Sequence, residues 1–421
     1  RVWSDDLTDT GIATASAPTF TDEFAMTVTT TTANETFTIP TGNVGTFDAG
    51  IEWGDGSVSS ISAYNDANLT HTYATAGDHL IRIRGSFPHI RFSSGGDRLK
   101  VKSVENLGTV GWLSLSSAFY GCTNMTSFTA GTTDTSSVTV MANMFRDCNS
   151  LTSLDVSNFD TSSVTAMNNM FRNCTNLTSL DVSNFDTSSV TDMSSMFYSC
   201  NSLTSLDVSS FDTSLVTAIN NMFGLCYALT SLDVSNFDTS SVTGSGMNQM
   251  FRLCTSLTSL DVSNFDTSSC TTFDSTFRQL TNLTSLNLSG FDTSSATYTG
   301  YMFVGSDSLT SLDVSSFDTS SVVRMDNMFN CDSLTSLVGA EDFDITALNR
   351  TSALSGFMSS SGRMTTAQYD ALLVKWDAQS VFSNVTANFG SSQYTSGSAA
   401  ATARANLISS DGWTITDGGT A

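Results

Sequence analysis

The stretch Leu177–Ser202 reads LTSLDVSNFDTSSVTDMSSMFYSCNS, and near copies of it fill the chain from Phe119 to about Asp344. Its leading leucine recurs at Leu151, Leu177, Leu203, Leu229, Leu257, Leu283, Leu309 and Leu334, a period of 26 residues. The period slips to 28 where Gly244-Ser245 is inserted and to 25 where a residue is lost just before Cys331. A fixed period of this length marks a repeat architecture, in which no unit can bury its own apolar face and stacked neighbours can.

Three segments divide the unit. LTSLDVS alternates, so in the copy that starts at Leu151 the side chains of Leu154 and Val156 point inward while Ser153, Asp155 and Ser157 point outward. FDTSSVT is a corner in which Phe159 plugs the core and the short oxygen-bearing side chains of Asp160 and Thr161 bond nearby backbone. In VTAMNNMFRNC, the residues Val164, Met167, Met170, Phe171 and Cys174 fall at spacings of three and four, which predicts about two turns of helix on the convex side. The expected fold is an α/β repeat solenoid of 26-residue leucine-rich units, with one continuous parallel β-sheet and short convex helices.

Seven of the eight cysteines recur once per unit, at Cys122, Cys148, Cys174, Cys200, Cys226, Cys254 and Cys331. That spacing argues for a column of buried thiols over scattered disulfides or zinc, since no CxxC pair occurs anywhere in the chain.

Over Phe119 to Asp344, units of the form SLDVSNFDTSxVTxMxxMFxxC closely resemble the BspA-type leucine-rich repeat surface proteins. The resemblance implies a role at a cell or particle surface in adhesion and host contact. Where ordinary leucine-rich repeats carry a ladder asparagine, this chain has Phe159, Phe185 and Phe211, so a phenylalanine spine is expected to replace that ladder.

The flanks read differently. Residues 26–100 contain β-rich runs with Trp53-Gly54-Asp55-Gly56 and His71-Thr72-Tyr73, which resemble the PKD type of immunoglobulin-like domain and imply a β-sandwich acting as spacer or contact module. Farther on, TTAQYDALLVKWDAQS predicts a helix capped by Thr365 or Thr366, with Tyr369, Leu372, Leu373 and Trp376 on one apolar face. The expected organisation is an N-terminal arm or linker (1–25), a PKD-like β-sandwich (26–100), the repeat solenoid (101–345) and a C-terminal helical cap domain (346–421).

Charged residues make up only 13%, yet 40 acids face 16 Lys and Arg, a formal net charge of −24. That balance argues against nucleic acid, whose phosphates need clustered cations. No apolar run is long enough to span a bilayer. All three histidines lie between residues 71 and 89, and no GxSxG, HExxH or phosphate-cradling glycine loop occurs, so a catalytic role and a cofactor are not expected.

The outward column of Ser153, Asp155, Asp181, Asp207, Asp233, Asp261 and Asp313 is the candidate ligand-binding surface. Stacked carboxylates repel and raise one another's pKa. Relief is expected from water and from neighbouring serine hydroxyls, with Ca²⁺ at the Asp155/Asp181/Asp207/Asp233 column as the alternative. The corner aspartates from Asp160 to Asp318 read as turn chemistry. The expected function is non-catalytic recognition of a glycan or protein receptor by an extracellular protein of a cell or virion surface, such as an adhesin or a phage appendage. The alternative is a structural protein that self-associates into a shell, lattice or filament as a homo-oligomer.

Overall fold

The computed structural model describes residues 22–358 and 361–421. They fall into two compact units, one running through Val164 with Cys174–Phe185, the other comprising Thr165–Asn173 with Asp186–Ala421. The expected arm over 1–25 lies outside the described residues up to position 21, while Phe24 and Ala25 already belong to the first strand.

The first unit opens with β1 (Phe24–Thr30), β2 (Glu35–Thr38), β3 (Asp48–Glu52), β4 (Val58–Ile61), β5 (Thr70–Tyr73), β6 (Gly77–Ser86), β7 (Val101–Asn106) and β8 (Ser127–Phe128). Six of these form one sheet in the order β4-β3-β6-β1-β7-β8, and β2 pairs with β5 in a second. The β3–β4 turn depends on Gly54 at φ +80°, whose place a Cβ could not take without coming 2.6 Å from the backbone of Leu80. Asp55 closes that turn by accepting the Ser57 N–H at 2.9 Å. Trp53 and Tyr73 are buried, and the Tyr73 hydroxyl donates to the Trp53 carbonyl at 3.0 Å. Strand β7 is antiparallel to β1 and parallel to β8, so the first repeats continue the sheet of the preceding module. Trp112 lies edge-on to Phe24 at 5.5 Å beneath this junction.

In the second unit, β9 (Ser259–Asp261) pairs in parallel with β10 (Ser285–Asn287), and β11 (Ser311–Asp313) with β12 (Ser336–Val338), each residue facing its counterpart one repeat away. The inward residues behave as the alternation requires: Leu260, Val262, Leu312 and Val314 are buried. The strands are short pairs and do not merge into the continuous sheet expected.

The convex helices are also corrected. Met167, Met170, Phe171 and Cys174 are buried as their spacing implied, but the segment is a succession of turns. The Met170 N–H reaches Met167 O at 3.1 Å, while those of Asn169, Phe171 and Asn173 reach the next repeat at Ser194, Met196 and Tyr198 (2.9, 2.9 and 2.8 Å). Left-handed residues, here Asn169 at φ 57° and Asn173 at φ 60°, aim the N–H groups outward along the stack, where a helix would have satisfied them internally. Asn, Ser, Asp and Gly fill most such positions, and Leu225 and Leu253 hold the same conformation at φ 64° and 63° with a steric cost of about 1–2 kcal/mol each. Apolar spacing of three and four does not distinguish these two ways of burying one face.

Behind the turns the phenylalanines of successive repeats, Phe171, Phe197, Phe223, Phe251, Phe277, Phe303 and Phe329, stack nearly parallel, with centroids 5.6–5.9 Å apart. Two polar ladders run beside them. Buried threonines of the corner bond the next repeat, the Thr187 hydroxyl donating to Asp212 O and accepting from Asp212 N, both at 2.8 Å. Asparagines just before the corner phenylalanines donate to the previous repeat, Asn236 reaching Phe211 O at 2.9 Å and Val208 O at 3.1 Å. An asparagine ladder is therefore present one position before the phenylalanine expected to replace it.

Beyond the repeats, α1 (Thr366–Asp377) begins at Thr365 in a capping box with Gln368 and buries Tyr369, Leu372, Leu373 and Trp376. Phe357 meets Phe329 edge-on at 5.1 Å, and Trp376 meets Phe357 at 5.9 Å. Helix α2 (Ala399–Ser409) stands between β13 (Thr386–Asn388) and β14 (Thr414–Thr416), which pair in parallel. Among the described residues these are the two α-helices.

Candidate recognition surface

The outward strand positions are held by one recurring turn. In the first unit Asp155 accepts the Ser157 N–H at 3.0 Å and its hydroxyl at 2.6 Å, and Asp181 does the same with Ser183 at the same distances. In the second unit Asp207, Asp233, Asp261 and Asp313 accept from Ser209, Ser235, Ser263 and Ser315. All these carboxylates are exposed, as is Ser153.

The expected rise in pKa from stacking is not what the arrangement produces. The serine hydroxyl and N–H hold Asp181, Asp233 and Asp313 below the ordinary carboxylate range, and the Ser263 N–H and hydroxyl do so for Asp261. A carboxyl group whose pKa is lower folded than unfolded favours the folded state above its unfolded pKa and loses that contribution as pH falls through the folded value. The melting temperature is therefore expected to fall as pH drops below about 4. Replacing Ser183, Ser235 and Ser315 with alanine should flatten that dependence; an unchanged profile from pH 5 to 2 in scanning calorimetry would refute the assignment.

The same turn recurs at the corner, where Asp186, Asp212 and Asp238 accept the hydroxyls of Ser188, Ser214 and Ser240 at 2.6–2.7 Å. Turn chemistry accounts for that column.

The strand face of the second unit contains a concavity of ≈ 570 Å³ lined by Ser231, Asp233, Ser235, Ser259, Asp261, Ser285 and Asn287 together with Leu232, Val234, Leu260 and Leu286. It brings Asp233 and Asp261 together with Asn287, the amide that interrupts the carboxylate column and that sequence reasoning passed over. Nearby Gly290 stands where other repeats have Asn or Ser, and a Cβ there would lie 1.9 Å from Ser263 O, so this repeat approaches its neighbour closely. The interruption was visible in the sequence as Leu-Asn-Leu-Ser-Gly in place of Leu-Asp-Val-Ser-Asn. Among the described residues no group of three or more His, Cys, Asp or Glu is placed to hold a metal ion, at this column or elsewhere.

The turn wall carries most of the variation between repeats. Arg172 lies over the Tyr198 ring at 4.6 Å, Arg278 over Tyr301 at 5.7 Å and Arg324 over Tyr298 at 5.0 Å. Arg324 is also paired with Asp326, Nη2 to Oδ2 at 2.9 Å. These tyrosines were not singled out by the sequence pattern, because each breaks the consensus only once.

The cysteines line the interior as free, buried thiols. From Cys148 to Cys254, and at Cys331, the cysteine of each Met-Phe turn donates to the phenylalanine carbonyl of the preceding repeat, as Cys254 does to Phe223 at 3.0 Å and Cys331 to Phe303 at 2.9 Å, while Cys270, elsewhere in its repeat, reaches Val242 O at 3.7 Å. Ser306 takes the same place, its hydroxyl 2.8 Å from Phe277 O. Burial pushes the Cys226 thiol up to about 12, so at neutral pH it is a packing group and not a nucleophile.

A family described as Mycoplasma protein of unknown function, DUF285, matches residues 113–231, 179–259 and 226–337, together more than half of the chain. A solved structure titled as the functional domain of InlJ from Listeria monocytogenes, which includes a cysteine ladder, is similar at 16% identity over 71% of this chain and 76% of that one, with a TM-score of 0.15. No curated protein matches the chain.

Proposed function

This chain belongs to the family described as Mycoplasma protein of unknown function, DUF285, and we propose that it is a non-catalytic recognition protein displayed on a cell or virion surface. Its receptor is a glycan or a protein, engaged by the outward strand face. The observation that carries this reading is the concavity at Asp233, Asp261 and Asn287, where exposed carboxylate, amide and hydroxyl groups lie side by side. A surface of that composition suits hydroxyl and amide donors, and its carboxylates recur along the whole column instead of forming one singular acid–base pair. No helix among the described residues is long and apolar enough to cross a membrane.

In this reading, residues 26–100 are a PKD-like spacer, 101–345 the recognition solenoid, and 346–421 a cap that covers the last repeat. The near-uniform strand positions favour one alternative, a structural protein that self-associates through its repeats. The deciding experiment compares the wild-type chain with the D233A/D261A/N287A variant on a glycan array and on cultured host cells, alongside sedimentation of both. Binding that the substitutions abolish supports recognition by the strand face. Equal binding by both proteins overturns it, and concentration-dependent assembly with no binding at all favours the structural alternative.

A further inference from the structure

The hydrogen-bond ladder of the turn wall begins ahead of the repeats, at residues 87–92 of the first unit. The Phe87 N–H reaches Val110 O at 2.8 Å and the Leu113 N–H reaches Pro88 O at 3.0 Å, and the Leu115 N–H carries the ladder on to Val140 O at 3.1 Å. His89 and Ser114 are bridge partners in it. The opposite edge of residues 87–92 is covered by the β2–β3 loop, residues 39–47, where Pro40 O accepts the Arg91 N–H at 2.9 Å. Between loop and ladder His89 is 3% exposed, and neither ring nitrogen makes a hydrogen bond of normal geometry among the described residues. Gly42 of the loop lies so close that a Cβ there would come 2.6 Å from Nδ1.

A ring enclosed in this way is accommodated neutral, because charging it would bury an ion without a partner. No acid stands on the segments that wall it: residues 39–47 and 110–118 are uncharged, and the one charge within residues 86–92 is Arg91, which repels an imidazolium. In a chain with 40 acids that gap is local. The other two histidines are served differently, His71 by Asp55 at 2.8 Å and His79 by the Thr30 hydroxyl at 3.0 Å. Burial holds His89 below the ordinary histidine range, and the nearby backbone of Ser116 and Gly42 offsets this only in part.

We propose that His89 is an acid-sensitive latch: while its ring is neutral the β2–β3 loop closes over residues 87–92, and protonation releases the loop. Opening breaks the bond from Arg91 to Pro40 and bares a backbone edge of the kind that pairs with another strand. The sign follows from linkage, since a base whose pKa is lower closed than open favours the open form as it gains its proton. The closed loop is therefore fully favoured above about pH 6.5, the value for an exposed histidine, and loses ground as pH falls below it. The strand aspartates respond only below about pH 4, so the two effects separate. The latch requires no ligand and stands apart from the recognition reading.

The test is hydrogen exchange of the full chain at about pH 7.5, 6 and 5, corrected for intrinsic rates. The expected result is several-fold faster exchange in residues 39–47 and 87–92 at the lowest pH, up to a limit of about thirtyfold set by protonation of a free imidazole there, with β1 unchanged. H89L should stay protected throughout. S114D should reduce the rise by placing a carboxylate beside the ring. Aspartate is accommodated at this point of the ladder, as Asp192 shows three repeats on by accepting the Ser194 N–H at 2.8 Å. Thermal melting near neutral pH checks that both variants fold, and S114D decides if H89L does not. Exchange in the wild type that does not change with pH, an equal rise in H89L, an undiminished rise in S114D, or a rise spread evenly over the first unit would each overturn the latch.

Discussion

Replacing Phe251 with alanine is expected to lower unfolding free energy by about 3–5 kcal/mol, the cost of removing a buried aromatic ring from a site that cannot collapse to fill the space. The ring is fully buried between Phe223 and Phe277, at 5.9 and 5.8 Å. Its neighbours are fixed by inter-repeat hydrogen bonds, the Phe251 N–H to Thr276 O at 3.1 Å and the Phe223 N–H to Met250 O at 3.0 Å, which oppose relaxation into the gap. F251L should cost less, because it keeps most of the volume and loses the stacking alone. Since each repeat contacts chiefly its neighbours, the damage should be local, with faster amide exchange in the repeats around Phe223 to Phe277 than around Phe329. Denaturant unfolding showing a loss under about 1 kcal/mol would mean that the ring stack is not what holds successive repeats together.

A second large effect is expected at Asp417. Its carboxylate, with the side chain 3% exposed, accepts from the Tyr369 hydroxyl at 2.7 Å and from Arg404 Nε and Nη2 at 2.7 and 3.2 Å. Three elements meet there: Tyr369 comes from α1, Arg404 from α2, and Asp417 follows β14 directly. D417A leaves the Arg404 charge and the Tyr369 hydroxyl without their acceptor, and breaking such a pair costs about 3–5 kcal/mol. The lower end applies here because the Arg404 side chain keeps 21% of its exposure and so regains some hydration. Y369F, which removes one hydrogen bond and no charge, should cost about 1 kcal/mol. Hydrogen exchange is the decisive readout, with α1 and α2 losing protection while the repeats keep theirs. Uniform loss across the second unit, or a D417A cost no larger than that of Y369F, would show that the carboxylate does not join these elements.

Much of this was legible in the residues because burial in a repeat follows from period and polarity alone. The recurring leucine marked every repeat, and Leu154, Val156, Phe159, Met167 and Phe171 are buried as read. The capping of α1 by Thr365 and its buried face of Tyr369, Leu372, Leu373 and Trp376 were equally plain, since a capping box and a spacing of three and four sustained over twelve residues specify a helix. What failed was the conformation of the turn wall. Asn169 and Asn173, read as polar residues of a helix, adopt left-handed backbone, and the signal that could have shown it was the recurrence of Asn, Ser, Asp and Gly at those two positions.

The candidate surface divides in the same way. Sequence placed Asp155, Asp181, Asp207, Asp233, Asp261 and Asp313 in one outward column, because alternation along a strand puts every second side chain on the same face. It also pointed to neighbouring serine hydroxyls, and the serine two residues on is the one that bonds the carboxylate, as Ser157 does for Asp155; it could not show that Asn287 lines a concavity with Asp233 and Asp261, because that depends on how successive repeats are spaced. Nor could it show what each arginine meets: Arg324 is paired with Asp326, while Arg278 lies over the ring of Tyr301. By itself the sequence determined the repeat, its inward residues and its charge, all set by short-range periodicity. The tertiary structure alone decided which polar groups meet, because a contact between repeats joins residues some 26 positions apart whose directions are set by the turns between them.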